Sequence, residues 1–193
     1  MNNVSLNLEL EDSELVRLSL VDPDKFSYII YRYQEKLERY LRRLGAKNEE
    51  DVQDLLQDIF LKVYLNLNDF DQNLKFSSWI YRIAHNQVIS NFRKKQVRPE
   101  AHSFPIDSAG FDTLADDVAL DRLSDIHLSQ NVIKEALAKI SVKHREILIL
   151  KFFEDKSYEE ISDILKKPQG TVASLLNRAK KSLKNYLPKN ISA

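Results

Sequence analysis

Apolar residues recur along this chain every three or four positions, and no stretch shows a convincing alternation of two. That spacing predicts helices, because side chains at i, i+3, i+4 and i+7 share one helical face. Phe26 to Leu44 reads as the first long helix, with Pro23 ahead of it and Gly45 at its expected stop. Asn48 is a candidate N-cap, and Glu49, Glu50 and Asp51 follow in the first turn, where acids favour the positive end of the helix dipole. The next helix carries Val52, Leu55, Leu56, Ile59, Phe60 and Val63 as one apolar stripe. Loop-like residues fill Asn66 to Asn73. A further helix is expected from about Phe76 to Lys95, with Ile80, Ile83, Ala84 and Val88 facing a core.

Val97 to about Ile126 breaks the pattern. Pro99, Pro105 and Gly110 fall among scattered Ser and Asp residues, so it reads as a linker, with a short helix near Ala115 to Leu123. Periodicity resumes near Leu128 with Val132, Ile133, Ala136, Leu137 and Ile140. Ser141 can cap the following helix, whose apolar residues are Ile147, Leu148 and Leu150. Ser157-Tyr158-Glu159-Glu160 fits a capping box. Ile161, Ile164 and Leu165 make a short helix that Pro168 breaks. The last helix, about Gly170 to Leu187, buries Val172, Leu175, Leu176, Ala179 and Leu183. From Tyr158 to Tyr186 the order is helix, short turn, helix. The break at Lys166 to Gln169 suits a helix-turn-helix, and Ser162 is small enough to let the two helices approach.

Composition narrows the function. With 193 residues the chain makes one medium domain or two small ones. It has no cysteine, which excludes disulfides and Cys-based zinc sites, and only three glycines, which excludes Gly-rich phosphate loops. No apolar run approaches the ~18 residues of a membrane span. Met1 to Asp12 lacks the basic-then-apolar order of a signal peptide, so a soluble cytoplasmic protein is expected.

The 29 basic and 29 acidic residues cancel, but they are segregated. Gln72 to Pro99 holds six Lys or Arg and no acid, and Ile164 to the end holds seven and no acid. Glu100 to His127 reverses this, with seven acids against Arg122, and Asn48 to Asp58 holds five acids and no base. Two separate polyanion-binding surfaces are one reading, and solvated basic helix faces are the bland one.

The candidate residues sit in two helices. In the last one, Thr171 and Ser174 can reach base edges while Arg178, Lys180, Lys181 and Lys184 meet phosphates, although an ordinary αα-corner has the same outline. From Phe76 to Arg98, Trp79, Tyr81 and Phe92 are interleaved with Lys75, Arg82, Arg93, Lys94 and Lys95, and Phe70 lies just ahead. Aromatics stack on unpaired bases and cations follow the strand. Asn86 and Ser90 add polar groups, while Trp79 by itself is equally explained as core. Enzyme readings are weak. His85, His102, His127 and His144 have no paired ligand spacing, and Asp51, Asp54 and Asp58 share a helical face without a facing ligand set. No catalytic residue, metal or cofactor is therefore expected.

The acidic-apolar helix, the Phe70-Asp71 loop, Trp79-Ile80-Tyr81-Arg82-Ile83-Ala84-His85-Asn86, the basic tail, the acidic linker and Gly170-Thr171-Val172 occur in an order that resembles bacterial RNA polymerase sigma factors, specifically the extracytoplasmic-function group. The resemblance covers about Phe26 to Leu187. It implies an all-α protein of two small helical domains joined by a flexible acidic linker, the second a helix-turn-helix domain. The implied layout is an N-terminal segment over 1–21, disordered or a short helix; a polymerase-docking and −10-melting domain over 22–98; the linker over 99–127; a −35-reading domain over 128–187; and a tail over 188–193. By position, Asp51, Asp54, Gln57 and Asp58 match the segment that docks on core RNA polymerase. Phe70, Trp79, Tyr81, Arg82, Asn86, Ser90, Arg93 and Lys94 match the −10 surface, with Phe70 and the loop to Leu74 pocketing a flipped base. The acidic linker matches the segment in the polymerase's RNA path. Thr171, Ser174, Arg178 and Lys181 match the −35 surface. Implied partners are core RNA polymerase, promoter DNA and, as for many members, an anti-sigma factor. Three positions depart from the usual pattern: Ala173 often has a basic residue, Leu175 often Arg, and Lys166 often Gly. The rival readings are a dimeric helix-turn-helix regulator that binds duplex DNA without polymerase, and a helical protein-interaction module.

Overall fold

In the computed structural model, residues 10–46, 48–95, 110, 113, 114, 117 and 130–187 are described, and the side chains of 92–95 are not. Residues 1–9, most of the linker, the tail, and the side chains of Arg93 and Lys94 lie outside the described residues; of the helix expected at 115–123 only residue 117 is described, and it is helical. Contacts divide the chain into two compact units: 1–41 with 48–96, and 42–47 with 97–193. Among the described residues every regular element is helical.

The first unit is built from α1 (Asp12–Val21), α2 (Phe26–Leu44), α3 (Glu49–Leu65) and α4 (Phe76–Lys95). The expected bounds of α2 and α4 coincide with the observed ones. The N-terminal segment contributes a true helix, and its packing explains why. Leu15 and Val16 are buried, and the Asp12 carboxylate accepts hydrogen bonds from Arg32 at 2.9 Å and from the Tyr33 hydroxyl, both on α2. Gly45 follows α2 with φ of 114°, a left-handed conformation that a Cβ would disfavour. Asn48 has the extended backbone of an N-cap but makes no side-chain capping bond.

The core of this unit takes Ile29, Leu37 and Leu41 from α2, the stripe Val52, Leu55, Leu56, Ile59, Phe60 and Val63 from α3, and Ile80, Ala84 and Val88 from α4. Rings finish it: Tyr40 packs on Tyr81 at 5.1 Å between centroids, Tyr33 on Phe76 at 5.6 Å, and Phe26 on Tyr64 at 5.1 Å. A polar tie crosses α3 and α4. Gln87, nearly buried, accepts from Lys62 and donates to Asp58 Oδ2, each at 2.5 Å. Between the two helices, Leu67–Asp69 forms a single 3₁₀ turn, and Asp71 Oδ1 accepts from the Asn73 backbone N–H at 2.9 Å. That Asx turn gives the loop a fixed course into α4.

The second unit contains α5 (Gln130–Lys139), α6 (Val142–Leu148), which runs on as a π turn over Ile149–Phe153, α7 (Tyr158–Leu165) and α8 (Gln169–Lys184). Ser141 caps α6 by accepting from the His144 N–H at 3.3 Å. The capping box of α7 is complete, with Glu160 N–H to Ser157 Oγ at 3.1 Å and Ser157 N–H to Glu160 Oε2 at 3.0 Å. Ile133, Ala136, Leu137, Ile147, Leu148, Ile161, Ile164, Val172, Leu175, Leu176, Ala179 and Leu183 form its core.

Arg145 is a buried cation in that core. It is 1% exposed and donates to Leu137 O at 3.0 Å, Ala138 O at 3.2 Å and Ile140 O at 3.4 Å. It thereby satisfies the carbonyls that α5 leaves open at its C-terminus. Burial holds its guanidinium down to about 10, still charged at neutral pH.

Candidate nucleic-acid interface

The first unit carries an open cleft of about 330 Å³ lined by Lys62, Asn66, Asp69, Trp79, Ile83 and Asn86. Its shape follows from local structure. Lys62 and Asn66 are one turn apart at the end of α3, Ile83 and Asn86 are three apart on α4, and the 3₁₀ turn brings Asp69 between them. Trp79 and Ile83 offer apolar surface, and the other four offer donors and acceptors. That combination suits one flat aromatic ring with polar edges, such as an unstacked base.

The aromatic residues expected to stack are packed differently from one another. Phe70 and Trp79 are each 8% exposed, and with Phe76 they form a ring cluster with centroids 5.2–5.6 Å apart. Trp79 lines the cleft, and Phe70, which is not among its lining residues, packs against the Trp79 ring. Tyr81 faces inward at 2% exposure, against Tyr40. Arg82 and Ser90 are half-buried on α4, and Asn86 is exposed.

On α3, Asp54, Gln57 and Asp58 are exposed and Asp51 is half-exposed, opposite the buried stripe. Asp58 is already bound to Gln87. Leu61 and Leu65 are exposed at 54% and 65%, seven and eleven positions after Asp54. The acidic face therefore continues as an apolar one. The sequence reading missed this, although the i+7 and i+11 spacing was there to be read.

In the second unit the turn between α7 and α8 has a helix-turn-helix form. Lys166 is left-handed with φ of 52° and ψ of 51°, the conformation that glycine would take more easily. Ser162 clamps the turn: its hydroxyl donates to Lys167 O at 2.6 Å, and its own carbonyl accepts from the Lys167 N–H at 3.1 Å. The exposed face of α8 carries Thr171, Ser174, Asn177, Arg178 and Lys181. Asn177, on the i+3 row from Ser174, was not among the sequence candidates. Leu175 is buried, so an apolar side chain there belongs to the core and removes nothing from the exposed face. Ser174 donates to Gly170 O at 2.9 Å, and Arg178 Nε to Ser174 O at 3.3 Å, which folds both back along the helix. No atom lies within 4 Å of a Cβ built on Gly170, so the fold itself does not require glycine there. His144 titrates below its ordinary value, through burial first and then through the charges of Lys143 and Arg178, which marks a positive field on this side of α6 and α8.

Among the described residues no cluster of His, Asp or Glu could hold a metal ion, and no helix is long and apolar enough to cross a membrane.

Comparison with known proteins identifies the family. The Sigma-70 region 2 family matches residues 29–98, and the Sigma-70 region 4 family matches residues 130–183. The ECF RNA polymerase sigma factor SigW of Bacillus subtilis is 33% identical over 174 residues, spanning 86% of this chain and 90% of that protein. The ECF RNA polymerase sigma-E factor of Escherichia coli K12 is 29% identical over 184 residues, 92% of this chain and 94% of that protein. The fold is similar to CnrH, solved in complex with the cytosolic domain of CnrY, with a TM-score of 0.63 at 22% identity over 90% of this chain and 95% of that one. It is also similar to the sigma factor RpoE of Bartonella quintana, solved with the anti-sigma factor NepR, with a TM-score of 0.58 at 23% identity over 83% of this chain and 95% of that one. The chain belongs to the ECF sigma factors. It is thus a polymerase-binding, DNA-binding transcription initiation factor. A regulator that binds duplex DNA alone is not favoured, because it leaves the region 2 match unexplained.

Proposed function

We propose that the first unit captures an unpaired base of the −10 element in the cleft of Lys62, Asn66, Asp69, Trp79, Ile83 and Asn86, while α8 reads duplex DNA at −35. The observation that carries this reading is the cleft itself, which pairs an indole surface with four polar side chains. A base inside a duplex cannot enter such a cleft, so binding there favours the melted strand. Arg82 and Ser90 lie beside it on α4, and Arg93 and Lys94 continue the basic run. Phe70 and Tyr81 act from the core, Phe70 by holding Trp79 in place.

On α8, Thr171, Ser174 and Asn177 are the base-edge candidates, and Arg178 and Lys181 the phosphate ligands. Asp51, Asp54 and Gln57, with Leu61 and Leu65, form the surface for core polymerase. The residue boundaries follow the sequence reading, with 22–98 and 128–187 as the working domains. The chain acts with polymerase in the cytoplasm, has no catalytic residue of its own, and takes an anti-sigma factor as a further partner. The sigma-factor fold it shares with two chains solved alongside partner proteins supports that last point.

The test uses the full chain with core polymerase on a promoter selected by that holoenzyme. Asn86→Ala should weaken the open complex by about 2- to 13-fold, the worth of one hydrogen bond to the base edge at about 0.5–1.5 kcal/mol, and leave duplex capture intact. Arg178→Ala should weaken duplex capture and lower its salt slope by about one. If both variants behave alike on duplex and premelted templates, the division between the two surfaces is wrong.

A further inference from the structure

Within the acidic stretch that precedes α5, residues 110, 113, 114 and 117 are helical and pack within the second unit. Gly110, Leu114 and Asp117 are spaced i, i+4 and i+7, one face of a helix. Gly110 is buried, and a Cβ there would stand 2.7 Å from Phe152 O and 2.9 Å from Phe153 Cα, both in the π turn after α6. Backbone atoms cannot move aside as a flexible side chain can, so only glycine allows this approach. Leu114 is fully buried. Asp117 forms an ion pair with Lys180 of α8, Oδ2 to Nζ at 3.0 Å, at a partly exposed position where the two side chains are 35% and 24% accessible.

We propose that this segment is an internal mask: it docks on the π turn and occupies Lys180 with a carboxylate, so that DNA phosphate must displace Asp117 to use that lysine. The inference rests on the reading of α8 as a duplex-binding helix. Gly110 and Leu114 supply the docking contact, and Asp117 supplies the charge that imitates a phosphate. Lys180 belongs to the acid-free basic block of the last helix, and Asp117 to the acid-rich block before it, so the segregation of charge along the chain places the two halves of the contact in separate segments.

The experiment measures binding of the full chain to a 30-bp duplex of random sequence across salt, alongside amide exchange over 110–117. Gly110→Leu should undock the segment sterically and Asp117→Asn electrostatically, so each keeps the test open if the other misfolds. Both should tighten DNA binding by about three- to tenfold at low salt and steepen the salt slope by about one, the signature of one additional phosphate contact. The gain should vanish when Lys180→Met is combined with either variant, and exchange over 110–117 should accelerate in Gly110→Leu. Faster exchange with unchanged DNA affinity would reduce the contact to packing and overturn the mask. So would exchange over 110–117 that is already unprotected in the parent chain. Arg178→Ala separates the two readings. If it weakens binding while Asp117→Asn brings no gain, the mask fails and the duplex reading stands. If neither has any effect, the duplex reading of α8 fails and the mask falls with it.

Discussion

Arg145 shows how one side chain can close a structural account. Helix α5 ends among buried residues, and its last carbonyls have no intrahelical donors. A single guanidinium reaches Leu137, Ala138 and Ile140 because its five N–H groups fan out in a plane. Burial lowers its basicity to about 10, which still leaves it charged at neutral pH. Arg145→Ala should cost about 2–4 kcal/mol, through unpaired carbonyls and a cavity. Arg145→Lys should recover only part of this, since an ammonium cannot span three carbonyls at that geometry. Denaturant unfolding of the full chain measures both, and a loss under about 0.5 kcal/mol, the range of ordinary surface substitutions, would show the capping role to be wrong.

Among the elements, the turn between α7 and α8 is held in a strained form by its neighbours. Lys166 is left-handed, which costs a residue with a Cβ roughly 1–2 kcal/mol. The Ser162 hydroxyl and carbonyl both grip Lys167, so the turn keeps its course despite that cost. Lys166→Gly should therefore stabilise the second unit by about 0.5–1 kcal/mol, the relief of strain less the extra backbone entropy of glycine. Thermal unfolding reads the sign, and a lower midpoint would mean that the lysine side chain makes a contribution larger than its strain.

For the whole molecule, zero net charge coexists with strongly charged surfaces, because acids and bases are sorted by segment. The acidic face of α3 is the surface proposed to meet the polymerase. Asp54 is exposed, whereas Asp58 also anchors Gln87 across α4. The two substitutions should therefore separate function from stability. Asp54→Ala, alone or with Leu61→Ser, should weaken binding to core polymerase at an unchanged unfolding midpoint. Asp58→Ala should also lower stability, by about 1–3 kcal/mol, because it strips a charged partner from a nearly buried amide. Polymerase affinity left intact by Asp54→Ala with Leu61→Ser would remove this face from the docking surface.

The sequence by itself determined most of the helices, the Ser141 and Ser157 caps and the order of the two units, but not the helix at Asp12–Val21, the π turn or the missing side-chain bond at Asn48. What it determined is set by spacing within a few residues: the α3 stripe, the Ser157–Glu160 box, and the break at Pro168. It also carried the identity of the protein, because the aromatic-basic helix and the helix-turn-helix occur together in one order. Tertiary structure decided which side of each motif faces outward. Trp79 and Tyr81 are two positions apart in one aromatic-basic run, but one lines the cleft and the other packs on Tyr40, since a helix turns about 100° per residue and the core claims one side. Leu175, read from the spacing as a core position, is buried, so its departure from the usual arginine leaves the exposed face of α8 unchanged. The anchoring of Asp12, the Gln87 tie, the carbonyl cap of Arg145 and the Asp117–Lys180 contact join residues from different elements. Local periodicity carries no information about such pairs, because they exist only once the apolar faces have packed and fixed which polar groups meet.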